Sequence, residues 1–372
     1  MAIRAAIVGI DPLQREWLQA ARTLRAAGEI DIVAAAHRTL ALAKDLSDQC
    51  AEPGGITGST GDKQRIPAYD DLRLMLNERA PQVLVMDRPP NMPIELLASC
   101  VQQKIGVMSV GPPVETVAEA QTLGEALESR PQLLDIWPRM IDTFGYKQAV
   151  GAEDFIRPVR FAAGAWLGMN HALARTVGHA AESSPGGPIG ALQGAGGEGV
   201  RSLSVLAWDA LATLIDLIDV PTTIYGAARG SVGLRDTFAD ISGSVSVTLR
   251  FPEDAVATLT LSDQAPATVM PGGRRELLLF GQGMAQLTPE SYSFHDGGGR
   301  LIDEGSAGTG AGGGGGTVVE TLREFLRTFA APASTVRRDL QLEAVAATME
   351  ALVVSHRTGQ PESPERFRRL RR

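Results

Sequence analysis

The chain opens with short apolar runs that alternate with stretches of helical periodicity. Residues 3–10 form a strand-like run ending near Gly9, and 12–27 carry Leu13, Trp17, Leu18, Ala21 and Leu24 at helical spacing. The second run, IDIVAAA at 30–36, precedes a helix over 39–50. After a glycine-rich loop come a helix over 70–79, a buried strand at 83–87, a helix over 93–104 and a strand at 106–110. A helix over 114–129 and a strand at 133–137 complete the series. Apolar strands separated by amphipathic helices predict parallel βαβ units, and so an α/β fold with a doubly wound sheet.

From about residue 155 the pattern changes. Strand-like segments follow one another at 159–166, 222–228, 244–251, 255–261 and 275–281, with one long helix near 203–218. SVSVTLRF and AVATLTL alternate apolar and polar residues on either side of Pro252, Glu253 and Asp254, which predicts a hairpin. This half reads as an α+β domain on a mostly antiparallel open sheet. Seven glycines within 186–199 and eleven within 297–316 read as mobile surface loops, with a lid over a cleft as the other reading. Two helices follow, 318–330 and 336–357, then a tail with five arginines after position 365 that reads as solvated. The expected domains are 1–130, 131–335 and a C-terminal piece over 336–372.

Composition narrows the function classes. The 372 residues carry a net charge of −8, which argues against nucleic acid or an anionic membrane as a partner. Two cysteines, Cys50 and Cys100, cannot build a disulfide framework or a thiolate metal cage. Five histidines leave little material for a metal site, and His171 and His179 are eight apart with Glu182 beyond them, not the three or four a zinc helix needs. No signal segment or spanning run of apolar residues is present, so the cytoplasm is the expected location. Only four lysines exist, Lys44, Lys63, Lys104 and Lys147, so any lysine-dependent chemistry has few candidates. Trp137, Trp166 and Trp208 can stack on a sugar ring or fill the core.

The order of these features resembles the Gfo/Idh/MocA family, which includes glucose–fructose oxidoreductase and inositol dehydrogenase. AIVGI, PAYDDLRLML at 67–76, and APQVLVMDRPPNMPIELLASCVQQK at 80–104 carry the resemblance in the first half. VTLRFPEDAVATLTLS, RRELLLFGQGMAQLTPE and the closing SHRTGQP carry it in the second. The resemblance implies a Rossmann-type N-terminal domain and a C-terminal α/β domain whose open sheet often forms oligomer contacts. It also implies NAD(P)-dependent oxidation or reduction of a sugar, polyol or related carbonyl compound. Cofactor contacts would come from Gly9, Ile10 and Asp11, from Arg38, from Arg88 and Pro89 in the Thr-Pro-Pro-like turn, and from Pro112.

The site residues depart from the family pattern. The phosphate loop needs three glycines so that the pyrophosphate can approach the helix N-terminus. Here Gly9-Ile10-Asp11-Pro12-Leu13-Gln14 keeps only the first. Asp11 before Pro12 is a helix cap that places negative charge where the pyrophosphate would lie. His37-Arg38 after the second strand offers no acid for the ribose, so NADP is favoured over NAD, with Arg38 facing the 2′-phosphate. Gly111-Pro112-Pro113 stands where the family has Glu-Lys-Pro, and proline cannot relay a proton. Val205 and Asp209 replace the Asp-x-x-x-His pair. Two readings follow. One is a diverged protein acting as a binding or partner subunit, as a homo-oligomer or with a paralogue. The other is an active oxidoreductase whose acid/base groups are Asp209 or Lys147, the latter beside Tyr146.

Overall fold

The computed structural model describes residues 2–10, 15–51, 65–88, 92–137, 139–152, 156–168, 202–229, 243–264, 274–307, 318–330 and 341–369. The chain divides into two compact units. The first comprises residues 1–113, 121–137 and 317–340; the second comprises 114–120, 138–316 and 341–372.

The first unit is a six-stranded parallel sheet in the order β3-β2-β1-β4-β5-β6. Its strands are β1 (Ile3–Val8), β2 (Ile30–Ala36), β3 (Ala68–Tyr69), β4 (Val83–Met86), β5 (Gly106–Val110) and β6 (Leu134–Trp137). Helices α1 (Arg15–Ala26), α2 (Leu40–Ala51), α3 (Leu72–Arg79), α4 (Ile94–Gln102) and α5 (Val117–Leu127) make the connections. β4 and β5 are buried at every residue, as continuous apolar runs covered on both faces must be. The order is that of a doubly wound Rossmann-type sheet, with its switch point between β1 and β4.

The expected boundaries at 130 and 335 differ from these units. Helix α8 (Val318–Ala330), assigned from sequence to the second domain, belongs to the first unit. Its Val318, Leu322, Phe325 and Leu326 enter one core with Trp17, Leu24, Val85 and Met108. Gly106 is required beneath it, because a Cβ there would lie 2.8 Å from the Phe329 ring.

The second unit is built on an eight-stranded sheet in the order β14-β13-β12-β11-β7-β10-β9-β8. The strands are β7 (Phe161–Leu167), β8 (Thr223–Arg229), β9 (Ser244–Arg250), β10 (Val256–Ser262), β11 (Arg274–Phe280), β12 (Met284–Leu287), β13 (Ser291–His295) and β14 (Leu301–Ser306). Only β7 and β10 pair in parallel; every other neighbour is antiparallel. β9 and β10 form the expected hairpin, and β9 buries every second residue. Helices α6 (Phe144–Gly151), α7 (Leu203–Leu217), α9 (Leu342–Thr358) and α10 (Pro364–Arg369) complete the unit. Ten of the fifteen residues of α7 are buried, which explains its nearly uniform apolar sequence. Among the described residues no helix is long and apolar enough to cross a membrane.

The glycine-rich segment 297–316 is not a loop throughout: Gly298 and Arg300 donate backbone N–H groups to Asp296 Oδ1 in a tight turn, and β14 follows. The basic tail is helical over 364–369 and solvated as expected, the Arg366 and Arg369 side chains being 64% and 78% exposed while paired to Glu362 and Glu365, with Arg368 paired to Glu343 and Glu365. The last long helix begins at Leu342, not 336. The 186–199 segment lies outside the described residues.

Candidate functional site

At the carboxyl end of the parallel sheet, β1 turns at Gly9, whose φ of +68° suits glycine. Its N–H donates to the Ala36 carbonyl at 2.9 Å, and Asp87 N–H donates to the Val8 carbonyl at 3.0 Å. Ile10 is fully buried and joins the core, so its side chain supports the turn from below. Asp11 and Pro89 lie outside the described residues.

Arg88, after β4, turns its guanidinium to main-chain carbonyls. Nε and Nη2 donate to Met92 O at 3.3 and 3.0 Å, and Nη1 donates to Pro113 O at 3.1 Å. It thereby ties the end of β4 to the turn after β5. That turn is fixed further by Gly111 N–H on the Trp137 carbonyl at 2.8 Å and by Ser109 Oγ on the Gly111 carbonyl at 2.9 Å. Pro112 is half-buried within it.

A cleft of about 290 Å³ lies at the carboxyl end of β2, lined by His37, Arg38, Asp70, Asp71, Arg73 and Leu96 among others. Arg38 is exposed there. Two guanidinium groups make the cleft able to receive a phosphate, while Asp70 and Asp71 temper its charge. Asp71 is also engaged as the α3 cap, accepting from Arg73 N–H at 2.8 Å and Leu74 N–H at 3.1 Å. The neighbouring Tyr69 hydroxyl donates to Glu78 Oε2 at 2.8 Å and accepts from Arg79 Nε at 2.6 Å. The Tyr-x-Asp sequence at 69–71 thus fixes the start of α3, with Asp71 also on the cleft wall.

In the second unit Asp209 is 1% exposed on α7. Oδ1 accepts from Met140 N–H at 2.5 Å. Oδ2 accepts from Trp166 Nε1 at 3.0 Å and meets Arg275 Nη1 at 3.4 Å. The carboxylate is therefore held by three donors. Lys147 is exposed on α6, with no side-chain partner among the described residues, and the structure does not bring it to Asp209. Its neighbour Tyr146 is buried and donates its hydroxyl to Asp216. Burial, with Asp216 adding to it, pushes that phenol far above its ordinary range, so Tyr146 does not ionise near neutrality.

Trp166 and Trp208 are buried at 0% and 2% exposure and belong to the core, not to a sugar platform. Trp137 packs edge-on against Trp17 with ring centroids 5.4 Å apart. Burial pushes the Cys50 thiol up to about 12 and the Cys100 thiol to about 11, which makes both poor nucleophiles. Among the described residues no three His, Cys, Asp or Glu gather to hold a metal ion. His171, His179 and Glu182 lie outside those residues.

The sequence reading missed Arg275 as a partner of Asp209. A signal was available: by alternation Arg275 shares its face of β11 with Leu277 and Leu279, both fully buried. A charge on a core-facing position asks for a partner.

No known family profile matches the chain, and no curated protein matches it. Solved structures do. An oxidoreductase from Pseudomonas syringae is similar at 14% identity and TM-score 0.67, over 98% of this chain and 99% of its own. An oxidoreductase from Agrobacterium radiobacter, in complex with NAD⁺, L-tartaric acid and magnesium, is similar at 12% identity and TM-score 0.67, over 99% and 100%. The myo-inositol 2-dehydrogenase from Lactobacillus plantarum is similar at 15% identity and TM-score 0.62, over 98% and 99%. At these identities the likeness establishes a shared two-part fold and nothing beyond it.

Proposed function

We propose that this chain is a diverged member of the Gfo/Idh/MocA family that keeps the architecture without the dehydrogenase chemistry. It acts as a binding protein for a sugar- or polyol-like ligand or as a subunit beside an active paralogue. The observation that carries this reading is the setting of Asp209. It occupies the place of the family's acid/base histidine, yet its carboxylate is already held by Met140, Trp166 and Arg275. A buried carboxylate accepting from three donors serves as a structural anchor, and proton exchange with a ligand would break that set. Gly111-Pro112-Pro113 adds to this, since a proline there offers no donor and its turn is tied to Arg88.

The residues do not fit a dinucleotide held for hydride transfer. One glycine of the phosphate loop is present, and the buried Ile10 follows it. What favours the second reading, an NADP-dependent oxidoreductase acting on a sugar or polyol, is the β2-end cleft with Arg38 and Arg73. The same cleft makes NADP the preferred form over NAD. Calorimetric titration with NAD⁺, NADP⁺ and their reduced forms decides between the two. No heat of binding up to millimolar concentration is expected. Tight binding of any of the four overturns the proposal and turns attention to turnover of sugars and polyols.

The open face of the eight-stranded sheet supports self-association. Phe161 and Phe280 sit side by side on it, ring centroids 5.7 Å apart, and Phe161 is 38% exposed. A homo-oligomer through this face should dissociate in the Phe161→Glu variant, read by sedimentation velocity.

A further inference from the structure

We infer that a cavity at the carboxyl end of α7 binds a small aliphatic α-amino acid of about the size of valine. Asp209 does not line this cavity, and the inference goes beyond the sugar or polyol reading without resting on it. The space lies inside the second unit, between α6, the stretch that leads into β7, and the last residues of α7. Its volume is about 80 Å³. At about 10–15 Å³ for each water-sized occupant, that is room for roughly five to eight non-hydrogen atoms.

The cavity is apolar at its floor and charged at its rim. Ala149, Ile156 and Val159 line it and are buried, and Leu217 is half-buried beside them. Asp216 and Arg157 line it too and are exposed, as is Val150. A branched aliphatic side chain fits the floor, where it leaves water for an apolar surface. The rim then takes whatever charged groups that side chain carries.

Asp216 is set to receive a cation. The buried Tyr146 hydroxyl donates to its Oδ2, which fixes the carboxylate, and among the described residues nothing donates to Oδ1. Asp216 also stands in the last turn of α7, at the negative end of the helix dipole, and that turn holds no basic residue. A carboxylate there is disfavoured and an ammonium beside it is favoured on both counts.

Arg157 supplies the opposite charge. Burial pushes the Tyr146 phenol up, Asp216 adds to the push, and the Arg157 charge draws it back, so all three groups act at one place. Among the described residues Arg157 and Asp216 nonetheless form no ion pair with each other. An acid and a guanidinium on the rim of one apolar cavity, not closed on each other, match the ammonium and carboxylate of a zwitterion. A simple amine brings a like charge to Arg157, and a simple acid brings one to Asp216. A sugar has no apolar group for the floor.

The test is titration calorimetry on the full chain with L-valine, isobutylamine and isovalerate. Isobutylamine lacks the carboxylate of valine, and isovalerate lacks the ammonium. Valine should bind at least about tenfold more tightly than either, as expected for one further charge-assisted contact. Asp216→Asn, which keeps an acceptor for Tyr146, should weaken valine by at least about tenfold. Ala149→Leu fills the floor and should remove binding altogether. No valine binding up to ten millimolar (about the weakest the method reads), isobutylamine or isovalerate binding as tightly as valine, or unchanged valine binding in Asp216→Asn each overturn the inference. Should Ala149→Leu fail to fold, the three ligands and Asp216→Asn still decide. Binding of a sugar or of NADP⁺ elsewhere on the chain leaves every one of these outcomes unchanged.

Discussion

Arg323 on α8 grips Glu29, just ahead of β2, with two nitrogens across 294 residues of sequence: Nε lies 3.1 and 3.0 Å from the two carboxylate oxygens, and Nη2 lies 2.8 Å from one. The hydrogen bonds from Arg323 hold the Glu29 carboxyl below its ordinary value of 4.5 against a smaller opposing effect of burial. A carboxylate with a lowered folded-state value contributes stability above its unfolded value and loses it as pH falls through the folded one. The stability difference between wild type and Glu29→Gln should therefore be constant from pH 7 down to about 4.5 and shrink below that. Urea denaturation at several pH values measures it, and a difference that grows on acidification would contradict the assignment.

Asp209 should matter to stability far more than to any turnover. Asp209→Ala leaves Met140 N–H, Trp166 Nε1 and a largely buried guanidinium facing an empty space, a loss of about 3–5 kcal/mol. Asp209→Asn keeps one acceptor but turns an amide N–H toward an existing donor, for about 1–3 kcal/mol. Chemical denaturation orders the two variants.

Trp17 is 1% exposed, and among the described residues its indole N–H finds no acceptor. An unsatisfied buried donor costs about 1–3 kcal/mol, which offsets the packing lost when the indole shrinks to a phenyl ring. Trp17→Phe is expected to fall within about 1 kcal/mol of wild type, whereas Trp17→Ala should lose about 3–5 kcal/mol. A loss above about 2 kcal/mol in Trp17→Phe would mean that the N–H has an acceptor after all.

Two helix glycines should respond oppositely to alanine. A Cβ on Gly124 of α5 meets nothing, so Gly124→Ala should gain about 0.5–1 kcal/mol from helix propensity. A Cβ on Gly145 of α6 would press into the backbone carbonyls of Thr288 and Ser291. Gly145→Ala should lose about 1–3 kcal/mol, because backbone cannot step aside as a side chain can. Thermal unfolding of both variants reads the signs.

The parts of the fold legible in the sequence are those whose burial is two-sided or strictly alternating. β4 and β5 are apolar throughout, and β9 and β10 alternate around a turn. β12 to β14 were not legible. LIDEGS in β14 is exposed at nearly every residue and owes its conformation to pairing with β13 and to the Asp296 turn. α6 is eight residues with little periodicity, seated by Gly145 on the β12–β13 turn. At the site, the sequence located Asp209 but not its use, since Met140 and Trp166 lie 69 and 43 residues away in the chain.

The return of α8 to the first unit has a consequence for how the chain is made. Synthesis proceeds from the N-terminus, and a first unit that ended at 137 could close while the second was still being translated. Here the core around Trp17 and Met108 lacks Leu322, Phe325 and Leu326 until the ribosome has passed the whole of the second sheet. At about 5–20 residues per second the wait is roughly 10–40 seconds, during which the nascent protein presents an uncovered apolar groove. The first unit to emerge thus stays unsealed until the whole second sheet has been made, and the nascent chain needs shielding from aggregation there first.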